Sequence, residues 1–205
     1  MATLLRQAFD RAGSDKGSKH GYERAYEETF EPIRNEPLNI LEIGILHGES
    51  LAAWVDYFPN AQIYGIDTFE RVAPKDINIL NHERVHWLKG MSQTINTKEL
   101  IKKTWPDVQF DIIIDDGLHT PIANGATFEN LIEFLKDDGY YFIEDIYPLD
   151  ILTEKEWQNR WITTHQKDFT MINWVRFTNA LFGYKEKHYD LRDRYADSYI
   201  IRISK

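Results

Sequence analysis

The sequence predicts an α/β domain: a doubly wound, mostly parallel sheet with helices on both faces. Three observations carry this expectation. The apolar runs are continuous rather than alternating, helical spacing fills the gaps between them, and the first run ends in a glycine turn. The runs are Asn39 to Gly44 (NILEIG), Ala61 to Asp67 (AQIYGID), Val85 to Leu88 (VHWL), Phe110 to Asp115 (FDIIID) and Tyr140 to Glu144 (YYFIE). Unbroken apolar runs suit strands buried on both faces, as in a parallel sheet. Ser198 to Ile203 (SYIIRI) reads as a final strand, with Phe169 to Phe177 (FTMINWVRF) as its hairpin partner. That makes seven strands, the last one antiparallel.

Between the runs, Glu49 to Tyr57 places Leu51, Trp54 and Val55 on one face, and Thr97 to Thr104 carries Leu100 and Ile101. Pro121 to Lys136 has Phe128, Leu131, Ile132 and Leu135 at the spacing of a core-facing helix. Asp137-Asp138-Gly139 then reads as its glycine stop. Strand and helix thus alternate as βαβ units. Residues 1–36 read as a helical cap with a loop at Gly13 to Gly21, and residues 37–205 as the main domain.

Composition narrows the class. The chain has 205 residues, 42% of them hydrophobic and 14% aromatic, which suits one packed domain. There is no cysteine, hence no disulfide or thiolate metal site. No apolar stretch is long enough to cross a bilayer, and no secretory leader is evident, so a cytoplasmic protein is expected. A net charge of −9 argues against a nucleic-acid surface. Lys16, Lys19 and His20 are candidates for a local anion site.

Leu41-Glu42-Ile43-Gly44-Ile45-Leu46-His47-Gly48-Glu49-Ser50 joins the first strand to a helix. Glycine there lets backbone approach a ligand, and the helix start offers free N–H groups. Asp67 ends the next strand, where a carboxylate can accept from both ribose hydroxyls. Gly-x-x-x-Gly is not the three-glycine fingerprint of dinucleotides. It suits a nucleoside without phosphates; an ordinary capped turn is the plain alternative.

The fourth strand ends in Asp115-Asp116-Gly117-Leu118-His119 and the fifth in Glu144-Asp145. A parallel sheet opens both ends onto one edge. So many carboxylates together need compensation, which a hard divalent cation with oxygen ligands supplies. His119 can stand beside it as a general base. Helix capping by solvated acids is the alternative.

These residues resemble the class I S-adenosylmethionine-dependent methyltransferases. More narrowly, they resemble metal-dependent sugar O-methyltransferases acting on macrolide and polyketide glycosides or polysaccharide precursors. The likeness rests on Gly13-Ser14-Asp15-Lys16-Gly17 with His20, Tyr22 and Tyr26-Glu27, on LEIGILHGES with Asp67, and on IIIDDGLH followed by FIED. It implies a Rossmann-like methyltransferase fold. It implies Asp116, Glu144 and Asp145 as ligands of Mg²⁺ or Mn²⁺, with His119 and Asp116 catalytic. It implies Glu42, Gly44, Ser50, Asp67 and Thr68 at S-adenosylmethionine, joined by Ser14, Lys16, Tyr22, Ser92 and Asp115. Lys89-Gly90-Met91-Ser92-Gln93 lacks the acid often found near adenine, leaving Ser92, Gln93 or backbone for that task. Leu118 stands where relatives often have Ser, and the additional domain of larger relatives is not expected.

The resulting expectation is a metal-assisted O-methyltransferase for a small-molecule sugar or nucleotide-sugar acceptor, with no nucleic-acid or membrane partner. The oligomeric state stays open. A catechol-type O-methyltransferase is the nearest alternative, and an NAD-binding nucleotide-sugar oxidoreductase or epimerase the alternative of another class. Trp157 and Trp161 read as core, and Trp174 as ambiguous. His165 and His188 read as surface residues without acidic partners, and Arg192-Asp193-Arg194 as a solvated face.

Overall fold

A computed structural model describes residues 2–146, 171–195 and 197–205. Within them lie β1 (Asn39–Ile43), β2 (Gln62–Asp67), β3 (Val85–Lys89), β4 (Phe110–Asp115), β5 (Leu135–Ile143), β6 (Lys185–Asp190) and β7 (Tyr199–Ser204). They form one sheet in the order β3-β2-β1-β4-β5-β7-β6. β1 to β5 pair in parallel, and β7 runs antiparallel to both β5 and β6. The helices are α1 (Leu4–Ala12), α2 (Asp15–Ser18), α3 (Glu23–Phe30), α4 (Glu49–Tyr57), α5 (Ile95–Thr104), α6 (Pro121–Leu131) and α7 (Met171–Ala180).

Strand periodicity divides the core in two. Ile40, Ile63, Ile112, Ile114 and Phe142 face one side, where Phe9 of α1, Tyr26 and Phe30 of α3 and Trp54 of α4 pack on them. Leu41, Ile43, Ile66, Ile113 and Tyr141 face the other, against Ile101 of α5, Phe128 and Leu131 of α6 and Phe177 of α7. Sheets buried on both faces require such unbroken apolar strands. The N-terminal helices therefore share the sheet's own core.

Local chemistry sets the helix ends. Thr3 caps α1 by accepting from the Arg6 N–H at 3.3 Å, and Gly13 ends it in the left-handed region at φ 76°. Thr120 caps α6, with Pro121 following it. α4 ends against Arg84, whose guanidinium donates to the carbonyls of Val55 (2.6 Å), Phe58 (2.8 Å) and Ala61 (3.0 Å). Hydrogen bonds from a charged donor contribute more than neutral ones, and part-buried carbonyls left unpaired are costly. Arg84→Ala is expected to lower unfolding free energy by about 2–3 kcal/mol in urea titration.

Several expectations need correction. Residues 171–177 of the proposed strand Phe169 to Phe177 lie in helix α7, and β6 is the hairpin partner of β7. Phe177 and Leu181, four apart, bury against the sheet, and α7 packs so closely on α6 that a Cβ on Gly125 would stand 3.6 Å from Phe177 Cα. The helix placed over Pro121 to Lys136 ends at Leu131. Leu135 already pairs with Phe110, the register shifts, and Tyr140 pairs with Ile112. Gly139 is no helix stop: it lies within β5, where a Cβ would come 2.9 Å from the Asp111 carbonyl oxygen. The Gly13 to Gly21 loop contains the short α2. Trp157, Trp161 and His165 lie outside the described residues. His188 has partners after all, Glu186 at 3.1 Å and the Tyr199 hydroxyl at 3.0 Å. Asp193 of the charged run pairs with Arg24 at 2.9 Å.

No described helix is long and apolar enough to cross a membrane.

Candidate active site

The strand order reverses between β1 and β4, and ligands of open α/β sheets bind at such a point, outside the carboxyl ends of the strands. Every expected site residue on the sheet lies along this edge. So do all four non-glycine residues with positive φ among those described: Leu46, Phe69, His119 and Asp145. Strained backbone persists where surrounding structure fixes it, commonly at functional sites.

Gly44 makes the first turn. Its φ is +91°, and a Cβ there would lie 2.1 Å from the backbone oxygen of Asp116. The β1 and β4 loops thus touch backbone to backbone, tied further by the Asp116 N–H donating to Ile43 O at 3.0 Å. Asp67 holds the same turn from the side. It accepts from the N–H groups of Ile45 (2.7 Å), Leu46 (3.1 Å) and Phe69 (2.6 Å). Thr68 is half-buried beside it.

Glu42 is fully buried and accepts from Ser50 Oγ at 2.8 Å and Trp54 Nε1 at 3.1 Å. Its other oxygen, Oε1, is buried without a hydrogen bond and lies 3.4 Å from Lys16 Nζ. Burial pushes this carboxyl up to about 7, against the pull of Lys16 and with a smaller push from Asp116. A raised acid pKa in the folded state means lost stability as pH rises from about 4.5 through 7, and no further loss above. Glu42→Gln removes that slope. Relative to the native chain, it is expected to gain up to about 3 kcal/mol on going from pH 5 to pH 8, on top of any constant offset. Thermal unfolding at the two pH values checks this.

Asp116 and Glu144 converge on one cation. Lys16 Nζ lies 2.5 Å from Asp116 Oδ2 and also contacts Glu144 Oε2. The remaining oxygen of Glu144 accepts from the Tyr26 hydroxyl. On the outer side, His119 Nε2 lies 3.0 Å from Asp116 Oδ1, at ion-pair distance but without hydrogen-bond alignment, and His119 Nδ1 lies 3.5 Å from Asp145 Oδ2. The Tyr22 hydroxyl donates to Asp145 Oδ1. Burial pushes Asp116 up, but Lys16 and His119 overcome it and hold the carboxyl well below its usual range. Burial lowers His119, yet Asp116 and Asp145 carry it to about 10. Burial raises both Glu144 and Asp145. Lys16 stays charged: three carboxylates outweigh its burial.

Asp115 takes its hydrogen bonds from outside this cluster. It accepts from Asn124 Nδ2 at 3.2 Å and the Gly117 N–H at 3.3 Å, and burial raises it to about 7. Ser92 is buried against Thr127 Oγ1 at 2.9 Å, and Ser14 caps α2. The suggested anion site does not form. Lys16 is spent on carboxylates, Lys19 pairs with Asp15 at 3.3 Å, and His20 meets Ser198 Oγ at 2.8 Å. Sequence reasoning left Trp54 and Asn124 out of the site and gave Tyr26 no task. The i, i+4 spacing of Tyr22 and Tyr26 was the available signal.

Asp116, His119 and Asp145 can each offer one ligand atom, all within 4.8 Å of one another. Carboxylate oxygens in this density fit a hard divalent cation, with the His119 imidazole at its side.

The model of the methyltransferase domain family matches residues 41–146, more than half of the chain and the span that holds this site. The chain belongs to this methyltransferase family. Among curated relatives, it is 32% identical over 146 residues to 8-demethyl-8-(2-methoxy-alpha-L-rhamnosyl)-tetracenomycin-C 3'-O-methyltransferase of Streptomyces olivaceus, covering 67% of this chain and 35% of that one. It is 28% identical over 138 residues to mycinamicin VI 2''-O-methyltransferase of Micromonospora griseorubida, covering 64% and 33%. This methyltransferase domain thus spans about a third of the length of those relatives. Its fold matches MycE methyltransferase in complex with Mg, SAH and mycinamycin VI, with a TM-score of 0.68 at 21% identity, covering 99% of this chain and 54% of that one.

Proposed function

We propose that this domain transfers the methyl group of S-adenosylmethionine to a hydroxyl of a sugar on a small-molecule glycoside or sugar precursor. In this reading, Asp116, Glu144 and Asp145 hold a divalent cation, Mg²⁺ or Mn²⁺. The observation that carries it is the gathering of Asp116, His119 and Asp145, whose ligand atoms lie within 4.8 Å of one another, with Glu144 joined to Asp116 through the Lys16 ammonium. The curated relatives named above methylate sugar hydroxyls, and one solved relative holds Mg with SAH.

The donor supplies an electrophilic methyl group, and the cation would polarise an acceptor hydroxyl and lower its pKa. The rest falls to the chain. Gly44 lets the β1 turn close on β4, and Asp67 fixes that turn, so both border the donor's crevice. Glu42 with Ser50, and Asp115 with Asn124, provide polar walls there. Thr68 and Ser92 stand at the ends of β2 and β3, and the cap of residues 1–36 covers the site through Ser14 and Lys16. His119 Nε2 receives the acceptor's proton as the oxygen takes the methyl group, with Asp116 and Asp145 balancing the imidazolium. The gain comes from placing oxygen and methyl in line. Such a reaction belongs where its donor is made, in the cytoplasm.

The test combines methyl-labelled S-adenosylmethionine with deoxysugar glycosides, nucleotide sugars and catechols. Label transfer to a sugar hydroxyl, lost with a chelator and restored by Mg²⁺, is the expected result. Transfer to catechols alone would move the reading to that acceptor class. Calorimetric binding of NAD in place of S-adenosylhomocysteine would end it.

A further inference from the structure

We propose that Tyr22 and Tyr26 are positioning residues for the carboxylate pair Glu144 and Asp145, so that α3 and its first turn set the affinity of the site for a divalent cation. This rests on the cation-binding reading above and assigns a task to residues that neither hold the cation nor touch the reacting atoms.

The two tyrosines are four residues apart and both are buried, at 1% and 0% exposure. Each phenol reaches one of two consecutive carboxylates. Tyr22 donates to Asp145 Oδ1 and Tyr26 to Glu144 Oε1. Each leaves the other oxygen aimed into the cluster: Asp145 Oδ2 towards His119, and Glu144 Oε2 towards Lys16 and Asp116. The phenols therefore select which oxygen of each carboxylate is presented.

The rings cannot readily follow a wandering carboxylate. Tyr26 stacks on Phe30 with centroids 4.7 Å apart, and packs on Phe142 at 4.8 Å and on the edge of Trp54 at 5.6 Å. Tyr22 stacks on His20 at 4.9 Å. The core thus fixes the donors, and the donors fix the acceptors. Asp145 has most need of this, because its φ of +53° is a conformation that backbone preference alone does not hold. Partners that orient ligands contribute 10–100-fold in metal affinity in typical sites.

The experiment measures Mn²⁺ binding by the electron paramagnetic resonance signal of the free ion, without donor or acceptor. It uses the native chain and Tyr22→Phe, Tyr26→Phe and Tyr57→Phe. Phenylalanine keeps the ring packing and removes only the hydroxyl. Tyr57 is the matched control, since its hydroxyl donates at 2.9 Å to Glu31, outside the cluster. Calorimetry with S-adenosylhomocysteine and thermal unfolding are run on the same samples.

Tyr22→Phe and Tyr26→Phe are each expected to weaken Mn²⁺ binding by about 10–100-fold, with S-adenosylhomocysteine affinity and unfolding temperature close to those of Tyr57→Phe. Mn²⁺ affinity within about threefold of the native chain in both variants would overturn the inference, as would a parallel loss of S-adenosylhomocysteine binding. If Tyr26→Phe does not fold, Tyr22→Phe decides alone by the same criteria. A native chain that binds no Mn²⁺ overturns the cation site itself, which separates that failure from this one.

Discussion

His119→Ala is expected to lower methyl transfer by about 10²–10⁴-fold, the range that general-base catalysis contributes, while S-adenosylhomocysteine binds within a few-fold of the native affinity. His119 belongs to the outer side of the cluster, between Asp116 at 3.0 Å and Asp145 at 3.5 Å, and none of its contacts tie the Gly44 turn or Asp67 in place. Its loss should therefore be felt in turnover rather than in donor binding. The two carboxylates hold the imidazole at about 10, and so protonated at neutral pH. Compensating those carboxylates releases the imidazole towards the range in which it accepts a proton. The sign for stability is clear. A raised histidine pKa stabilises the fold fully below about 6.5, and that contribution disappears as pH rises through about 10. Kinetics beside calorimetry check the prediction, and native turnover in His119→Ala would remove the residue from the mechanism.

Gly44→Ala is expected to abolish S-adenosylhomocysteine binding and to cost about 3–5 kcal/mol of stability, combining left-handed strain with overpacking. The reason is geometric. The new methyl carbon would lie 2.1 Å from the backbone oxygen of Asp116, and backbone cannot swing aside as a flexible side chain would. The β1 and β4 loops must separate, and Asp116 moves with its loop. Gly13→Ala is the matched comparison. Its φ of +76° is equally left-handed, but nothing lies within 4 Å of its added Cβ. It should lose only about 1–2 kcal/mol and leave the site untouched. Urea titrations of both variants, with calorimetry, separate strain from collision. A Gly44→Ala protein that binds normally would show that the two loops need not touch.

The chain's local pattern carried much of this far. The unbroken runs NILEIG, AQIYGID and FDIIID are β1, β2 and β4 to within a residue or so, because a strand buried on both faces must be apolar at consecutive positions. Acids and glycines at the ends of those runs marked the ligand edge, since parallel strands all end on one side. The same local signals failed where two periods overlap. Leu131, Ile132 and Leu135 fit a helical face, yet Leu135 pairs with Phe110 and belongs to β5. Met171 to Phe177 has the β-branched and aromatic content of a strand, but Phe177 and Leu181 are buried at helical spacing on the far face of the sheet.

By itself, then, the sequence determined the alternation of strands and helices and the edge on which Asp116, His119, Glu144 and Asp145 gather. Only tertiary structure decided how these side chains are shared out. Lys16 arrives from α2, 100 residues before Asp116 and 128 before Glu144, to stand between them. Tyr22 reaches Asp145 and Tyr26 reaches Glu144 from the same N-terminal segment. No local spacing records such meetings, because they depend on how the N-terminal helices pack on the sheet. The physical reason is that secondary structure follows from neighbours along the chain, whereas the charge balance of a buried cluster follows from neighbours in space.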